Sequence, residues 1–278
     1  MVDPMYDIER DYYLGNYQSV INKASSMKTS KEVAFYTCLS YYHLRKYDFL
    51  ALELKKSSEQ CMNLIGLLAE YTQNPAKKGE VMNKLDSIMA KGAHLDEMSR
   101  LTIAALFMHE KNYSKALQAI NTLKSLPGLS AQIGIYIAMN RLDLAERQVK
   151  LMQSKDDFSS LTQLALAEVR LVGGDARMAH DLASELEEKY KATPMLKNIQ
   201  AAAAIVMRNY TLAKEYCESA LEMDSDNPEA LVNMIYVLSE LGSQSETRTR
   251  YYERLRVLHP NHELVQDMNK VEQVFSKA

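Results

Sequence analysis

One short pattern returns along the chain and leaves few folds open to it. A turn is followed by an aromatic or apolar anchor, and a small or apolar residue comes three places later. The copies are Gly15-Asn16-Tyr17 with Val20, Arg45-Lys46-Tyr47 with Leu50, and Lys111-Asn112-Tyr113 with Ala116. They continue as Asn140-Arg141-Leu142 with Ala145, Gly174-Asp175-Ala176 with Ala179, and Arg208-Asn209-Tyr210 with Ala213. The anchors stand at 17, 47, 113, 142, 176 and 210, so the steps are 30, 66, 29, 34 and 34, and the 66 is two units of 33. A weaker echo places Gly242 before a helix with Tyr251 and Leu255.

A period near 34 residues is that of one helix-turn-helix unit. Two helices of three to four turns plus two short turns use about that length. The turn residue lets the chain reverse, the small residue lets two helices approach, and the anchor fills the wedge between them. The unit beginning Asp226-Asn227-Pro228-Glu229-Ala230 is the clearest, because it has a capping residue, a first-turn proline and an acid at the positive end of the dipole. Leu231, Ile235 and Leu238 then form a buried stripe. The expected fold is all-α: a single domain over 1–278, built as a right-handed solenoid of about eight tetratricopeptide-like helical hairpins. A C-terminal capping helix over 262–276 carries Leu264, Val265, Met268, Val271 and Phe275. Residues 56–98 are irregular in pattern, with Asn74-Pro75 and Lys77-Lys78-Gly79 departing from the turn motif, and Leu126-Pro127-Gly128 reads as a breaker.

Composition narrows the function. The formal net charge is -3 with no long basic run, which argues against nucleic acid. Cys38, Cys61 and Cys217 are odd in number and widely spaced, so neither a disulfide framework nor a zinc knuckle is expected, and a reducing, cytoplasmic compartment fits. The start, Met1-Val2-Asp3-Pro4-Met5-Tyr6-Asp7, has no basic apolar leader, and apolar stretches such as 199–207 are too short to span a bilayer. Membrane association is expected only through a partner. The sequons at Asn112 and Asn209 coincide with repeat turns and are expected to be unused.

Catalytic, cofactor-binding and metal-binding sites are not expected. Gly173-Gly174 is a helix turn rather than a phosphate loop, and no His-Glu-x-x-His occurs. His259 and His262, with Glu263, imitate a metal pair but read as a helix cap. In a stack of hairpins the first helix of each unit lines the concave face. The positions facing it are Phe35, Leu39 and Tyr42; Leu101, Ala105 and Met108; Leu161, Leu164, Glu168 and Leu171; Asn198, Ala202 and Ile205; and Val232 and Tyr236. Most are apolar, and a water-filled groove has no use for such a lining. Eight such side chains burying roughly 50 Å² each gain about 10 kcal/mol at about 25 cal/mol/Å², before association costs of several kcal/mol. Met (16) and Tyr (17) suit an adaptable, half-wet groove, though both also serve as core and anchor residues in helical repeats. A clamp for a C-terminal carboxylate needs Lys and Arg at these positions; Asn198 and Asn233 have no such companions.

Three segments carry more than the repeat. They are Arg141-Leu142-Asp143-Leu144-Ala145-Glu146-Arg147-Gln148-Val149-Lys150-Leu151-Met152-Gln153 with 161–165, Glu229 to Met234 with Leu241-Gly242, and Tyr12 to Gln18 with Ile21-Asn22. In order and spacing the chain resembles the epsilon subunit of coatomer, the COPI vesicle coat; it departs from that family in a short N-terminus and a weak match over 56–98. The resemblance implies a non-enzymatic scaffold in a hetero-oligomeric coat. It implies that the scaffold binds and stabilises the C-terminal domain of the coatomer alpha subunit, lying peripherally on Golgi membranes and COPI-coated vesicles. Golgi-to-endoplasmic-reticulum and intra-Golgi transport follow from that role. The alternative is a peptide-binding adaptor or co-chaperone of the tetratricopeptide class.

Overall fold

The structure, a computed structural model, describes residues 4–28, 30–90 and 94–275. The start at residues 1–3 and the helix ends expected at 91 and 276 lie outside these residues. Among the described residues the regular elements are all helical. The chain forms two compact units, residues 1–165 and 166–278.

In the first unit the opening helices of the hairpins are α1 (Pro4–Tyr13), α3 (Lys31–His43), α5 (Gln60–Gln73), α7 (Glu97–His109) and α9 (Leu126–Ala138). Their partners are α2 (Tyr17–Ser25), α4 (Tyr47–Leu54), α6 (Lys78–Ala90), α8 (Tyr113–Ile120) and α10 (Leu142–Lys155). Helix α11 (Ser160–Val172) begins in this unit and ends in the next. The second unit continues with α12 (Ala176–Tyr190), α13 (Pro194–Val206), α14 (Tyr210–Met223), α15 (Pro228–Glu240), α16 (Ser245–Leu258) and α17 (Glu263–Phe275).

The recurring turn has one backbone solution. Gly15, Arg45, Lys111, Asn140, Gly174, Arg208 and Gly242 all adopt positive φ, between 55° and 88°. The amide after each reaches back five residues, as in Asn16 to Asp11 (2.8 Å), Asn112 to Phe107 (2.9 Å) and Asn209 to Ala204 (2.9 Å). These bonds satisfy carbonyls that the helix end leaves open. The same residue then starts the next helix: the side chains of Asn112, Asp175 and Asn209 accept from Lys115, Met178 and Leu212 amides. One residue therefore closes one helix and opens another. The small residues three places past the anchor, Ala116, Ala145, Ala179 and Ala213, are fully buried.

Helices α1, α3, α5, α7 and α9 pack side by side in sequence. Ile8, Val20, Phe35, Leu50, Leu64, Ile65, Ile103 and Phe107 belong to the core beneath them. Lys31, at the first turn of α3, reaches Glu59 (3.0 Å) and Asp96 (2.7 Å), which precede α5 and α7. Asn74 Oδ1 accepts from the Ala76 amide at 3.2 Å, and the 3-10 turn Pro75–Lys77 leads directly into α6. The off-pattern stretch thus still makes a hairpin. Leu126-Pro127-Gly128 does not break the chain. It is the first turn of α9, where proline is tolerated and Ser125 Oγ accepts from the Gly128 amide at 3.2 Å. A Cβ on Gly128 would lie 2.5 Å from Leu123 Cβ, which explains the glycine by packing.

In the second unit Ala201, Ala203, Ala204, Ala213, Cys217 and Ala220 allow close helix approach, and Met234, Val237 and Leu238 complete the contact. Helix α17 caps with less of its stripe than expected. Val265 is buried with Leu231 and Leu255, and Leu264 packs beside them. Met268, Val271 and Phe275 stay exposed, because α17 meets the preceding hairpin through its first turns only.

Candidate functional site

The inner helices of the first unit frame a cavity of about 250 Å³. Its walls come from α1 (Tyr12, Tyr13), α3 (Phe35, Leu39, Tyr42, His43), α5 (Leu68), α7 (Leu101, Thr102, Ala105, His109) and α9 (Pro127, Ser130, Ala131). Five helices that are successive in the stack share one space, so this layer is curled. A second recess of about 260 Å³ joins Tyr6, Glu9 and Tyr13 of α1 to Leu126 and to residues 159–161 at the start of α11.

Five of the positions read from the repeat therefore meet at one place: Phe35, Leu39, Tyr42, Leu101 and Ala105. Their roles differ. Phe35 and Leu39 are 3% and 8% exposed and form the floor; Tyr42 and Leu101 are half-buried; Ala105 is open to solvent. Met108 is half-buried but does not line the cavity. Leu161 and Leu164 are each 5% exposed; Leu161 lies at the second recess, and Leu164 lines neither space. For these two, and for Phe35 and Leu39, the expected 50 Å² of free area per side chain is not there. Over Phe35 and Leu39 the curl of the inner layer brings the neighbouring helices together.

The cavity carries no ionised wall at neutral pH. Burial, and then repulsion from His109, pushes His43 down to about 4. Burial lowers His109 as well, followed by the charge of Lys78. His43 stacks on Tyr17 with 4.6 Å between ring centroids, and its Nε2 lies 3.2 Å from the Tyr12 hydroxyl. Tyr42 and Thr72 share a hydroxyl hydrogen bond of 2.8 Å. Apolar floor, aromatic walls and a neutral polar rim are what an uncharged peptide surface requires.

In the second unit Leu171, Ala202, Ile205 and Val232 are half-buried, and Tyr236 is 46% exposed beside Tyr210. Asn198 is committed to the fold: its Nδ2 donates to Asn227 Oδ1 at 2.9 Å, tying α13 to the cap of α15. Glu168 is half-buried, and burial raises its carboxyl to about 7.

The other chemical candidates serve the scaffold. His259 Nε2 lies 2.7 Å from the Asp226 carbonyl, and His262 Nδ1 accepts from the Leu264 amide at 3.2 Å. Burial pushes the thiols of Cys38 and Cys217 up to about 12. Among the described residues no cluster of His, Cys, Asp and Glu could hold a metal ion, and no helix is long and apolar enough to cross a membrane. The sequence reading missed the contributions of α1, α5 and α9. A signal was present: Leu68 and Ser130 each stand 29 residues after a position already identified, Leu39 and Leu101.

Comparison with known proteins adds to this geometry. A family model described as the coatomer epsilon subunit matches residues 1–278. Coatomer subunit epsilon-1 of Arabidopsis thaliana is 29% identical, over 99% of this chain and 96% of that protein. Coatomer subunit epsilon of Caenorhabditis elegans is also 29% identical, over 100% of this chain and 98% of its own length. Coatomer subunit epsilon of Dictyostelium discoideum is 28% identical, over 98% and 96%. In fold, the chain is similar to a tetratricopeptide repeat protein from Parabacteroides merdae, with TM-score 0.64 and 16% identity, covering 91% of this chain and 97% of that one.

Proposed function

Because this chain belongs to the coatomer epsilon subunit family, we propose that it is a non-enzymatic scaffold of the COPI coat that binds and stabilises the C-terminal domain of the alpha subunit. The observation that carries this reading is the uncharged cavity at Leu101, Ala105 and Tyr42, with a buried floor and an open rim. A segment of the alpha subunit fills it, and the same partner meets the exposed Tyr236 of the second unit. The partner brings the scaffold to Golgi membranes and coated vesicles, and retrograde and intra-Golgi transport depend on that attachment.

Apolar grip resists screening by salt. The test is co-purification of the full chain with the C-terminal domain of the coatomer alpha subunit, in low salt and in about 0.5 M salt. Wild type should retain the partner in both. Ala105→Glu and Tyr236→Glu should release it while keeping full helicity by circular dichroism, because both positions are exposed. Retention by both variants would defeat the reading. Micromolar, salt-sensitive capture of an isolated tail would replace it with a peptide adaptor.

A further inference from the structure

Fourteen of the fifteen inner-face positions are uncharged, and Glu168 is the exception. It stands nine residues into α11, the place that Ala202 holds in α13 and Tyr236 in α15. Within α11, Leu164 and Leu171 lie one turn to either side on the same face. The carboxylate is half-buried and, among the described residues, has no hydrogen bond and no ion pair. Burial is the sole cause of its raised titration; no charged group on its own helix or on a neighbouring one contributes.

A carboxylate that burial partly strips of water and that no protein group pairs is costlier to the free fold than a fully solvated one. Leu at this place would not have that cost. The arrangement makes sense where a ligand brings the missing donor. A charge in an apolar face also discriminates, since a partner without the matching group leaves the acid desolvated and unpaired. A cation answers it better than a neutral donor: when the remaining water leaves, a positive charge adds Coulomb attraction to the hydrogen bond and holds the carboxylate ionised more strongly.

We propose that Glu168 is a specificity-determining residue of the groove, receiving a lysine or arginine side chain from the bound segment and so fixing that segment's register. This rests on the inner face being the site for the alpha subunit. Titration calorimetry of the full chain with the C-terminal domain of the alpha subunit tests it, using wild type, Glu168→Gln and Glu168→Lys, at about pH 6 and about pH 8. At the higher pH, Glu168→Gln should bind about 10- to 100-fold more weakly than wild type, and Glu168→Lys more weakly still. The wild-type advantage should shrink as pH falls through about 7, where the acid takes up a proton, while Glu168→Gln stays flat. Glu168→Gln keeps the shape of the side chain and should fold at least as well as wild type, so it decides the matter even if the lysine variant misfolds. Equal binding by wild type and Glu168→Gln, or a loss independent of pH, overturns the assignment and leaves the proposed partner site standing. Failure of wild type itself to bind overturns both.

Discussion

The Lys31 ammonium lies 2.7 Å from the Asp96 carboxylate, although 65 residues and two hairpins separate them along the chain. Glu59 completes the arrangement at 3.0 Å. Burial pushes the Asp96 carboxyl up, but hydrogen bonds from Lys31 and Ser99 outweigh it and hold the group below its ordinary value. A carboxyl lowered in the folded state adds stability above its unfolded pKa, about 3.9, and loses it as pH falls toward the lowered folded value. Asp96→Asn should therefore melt below wild type at neutral pH, with the gap closing in acid below about pH 4. Thermal melts across that range check this; a gap that widens in acid would contradict it.

Arg208 holds a left-handed conformation at φ 59° that glycine adopts without cost. Arg208→Gly should raise stability by about 0.5–1 kcal/mol, even after glycine's greater freedom in the unfolded chain is counted. Urea unfolding with an unchanged m-value would establish it. Destabilisation would mean that the arginine side chain contributes more than its backbone costs.

The repeat pattern assigns both Leu164 and Ala105 to the inner face, yet they should respond in opposite ways. Leu164 is 5% exposed, so Leu164→Ala should cost about 2–5 kcal/mol and Leu164→Glu should unfold the surrounding helices. Ala105→Glu should leave melting nearly unchanged, since that position faces solvent. Circular dichroism melts of the three variants separate core from surface.

His43 resists protonation until about pH 4. In the unfolded chain it takes up a proton near 6.5, so folding stability falls as pH drops from about 6.5 to about 4. His43→Phe retains a ring to stack on Tyr17 and should blunt that fall. The direct measurement is an NMR titration of the imidazole; a midpoint near its free value would refute the burial argument.

Much of this fold was readable in the sequence because the turn is local. A left-handed residue, an anchor and a small residue three places on are one backbone device, and Ala116, Ala145, Ala179 and Ala213 occupy it as the spacing demands. The site was less readable because curvature is not local. Whether Leu39 faces a partner or forms a floor depends on how tightly α1 to α9 curl, which the turn motif does not encode. The αL site also misleads composition-based reading: Arg45, Lys111 and Arg208 stand where glycine is the obvious choice. The proline of α9 misled in another way, since a breaker inside a helix and a helper at its start are the same residue in different register.

The turn that closes six of the hairpins is always three residues long, whereas the return to the next hairpin varies, from three residues between α12 and α13 to five between α8 and α9. Insertions and deletions should thus accumulate on the return connections and spare the closing turns. Orthologues of unequal length would differ at the returns, and a peptide tag placed there should be better tolerated than one placed beside Asn112 or Asn209.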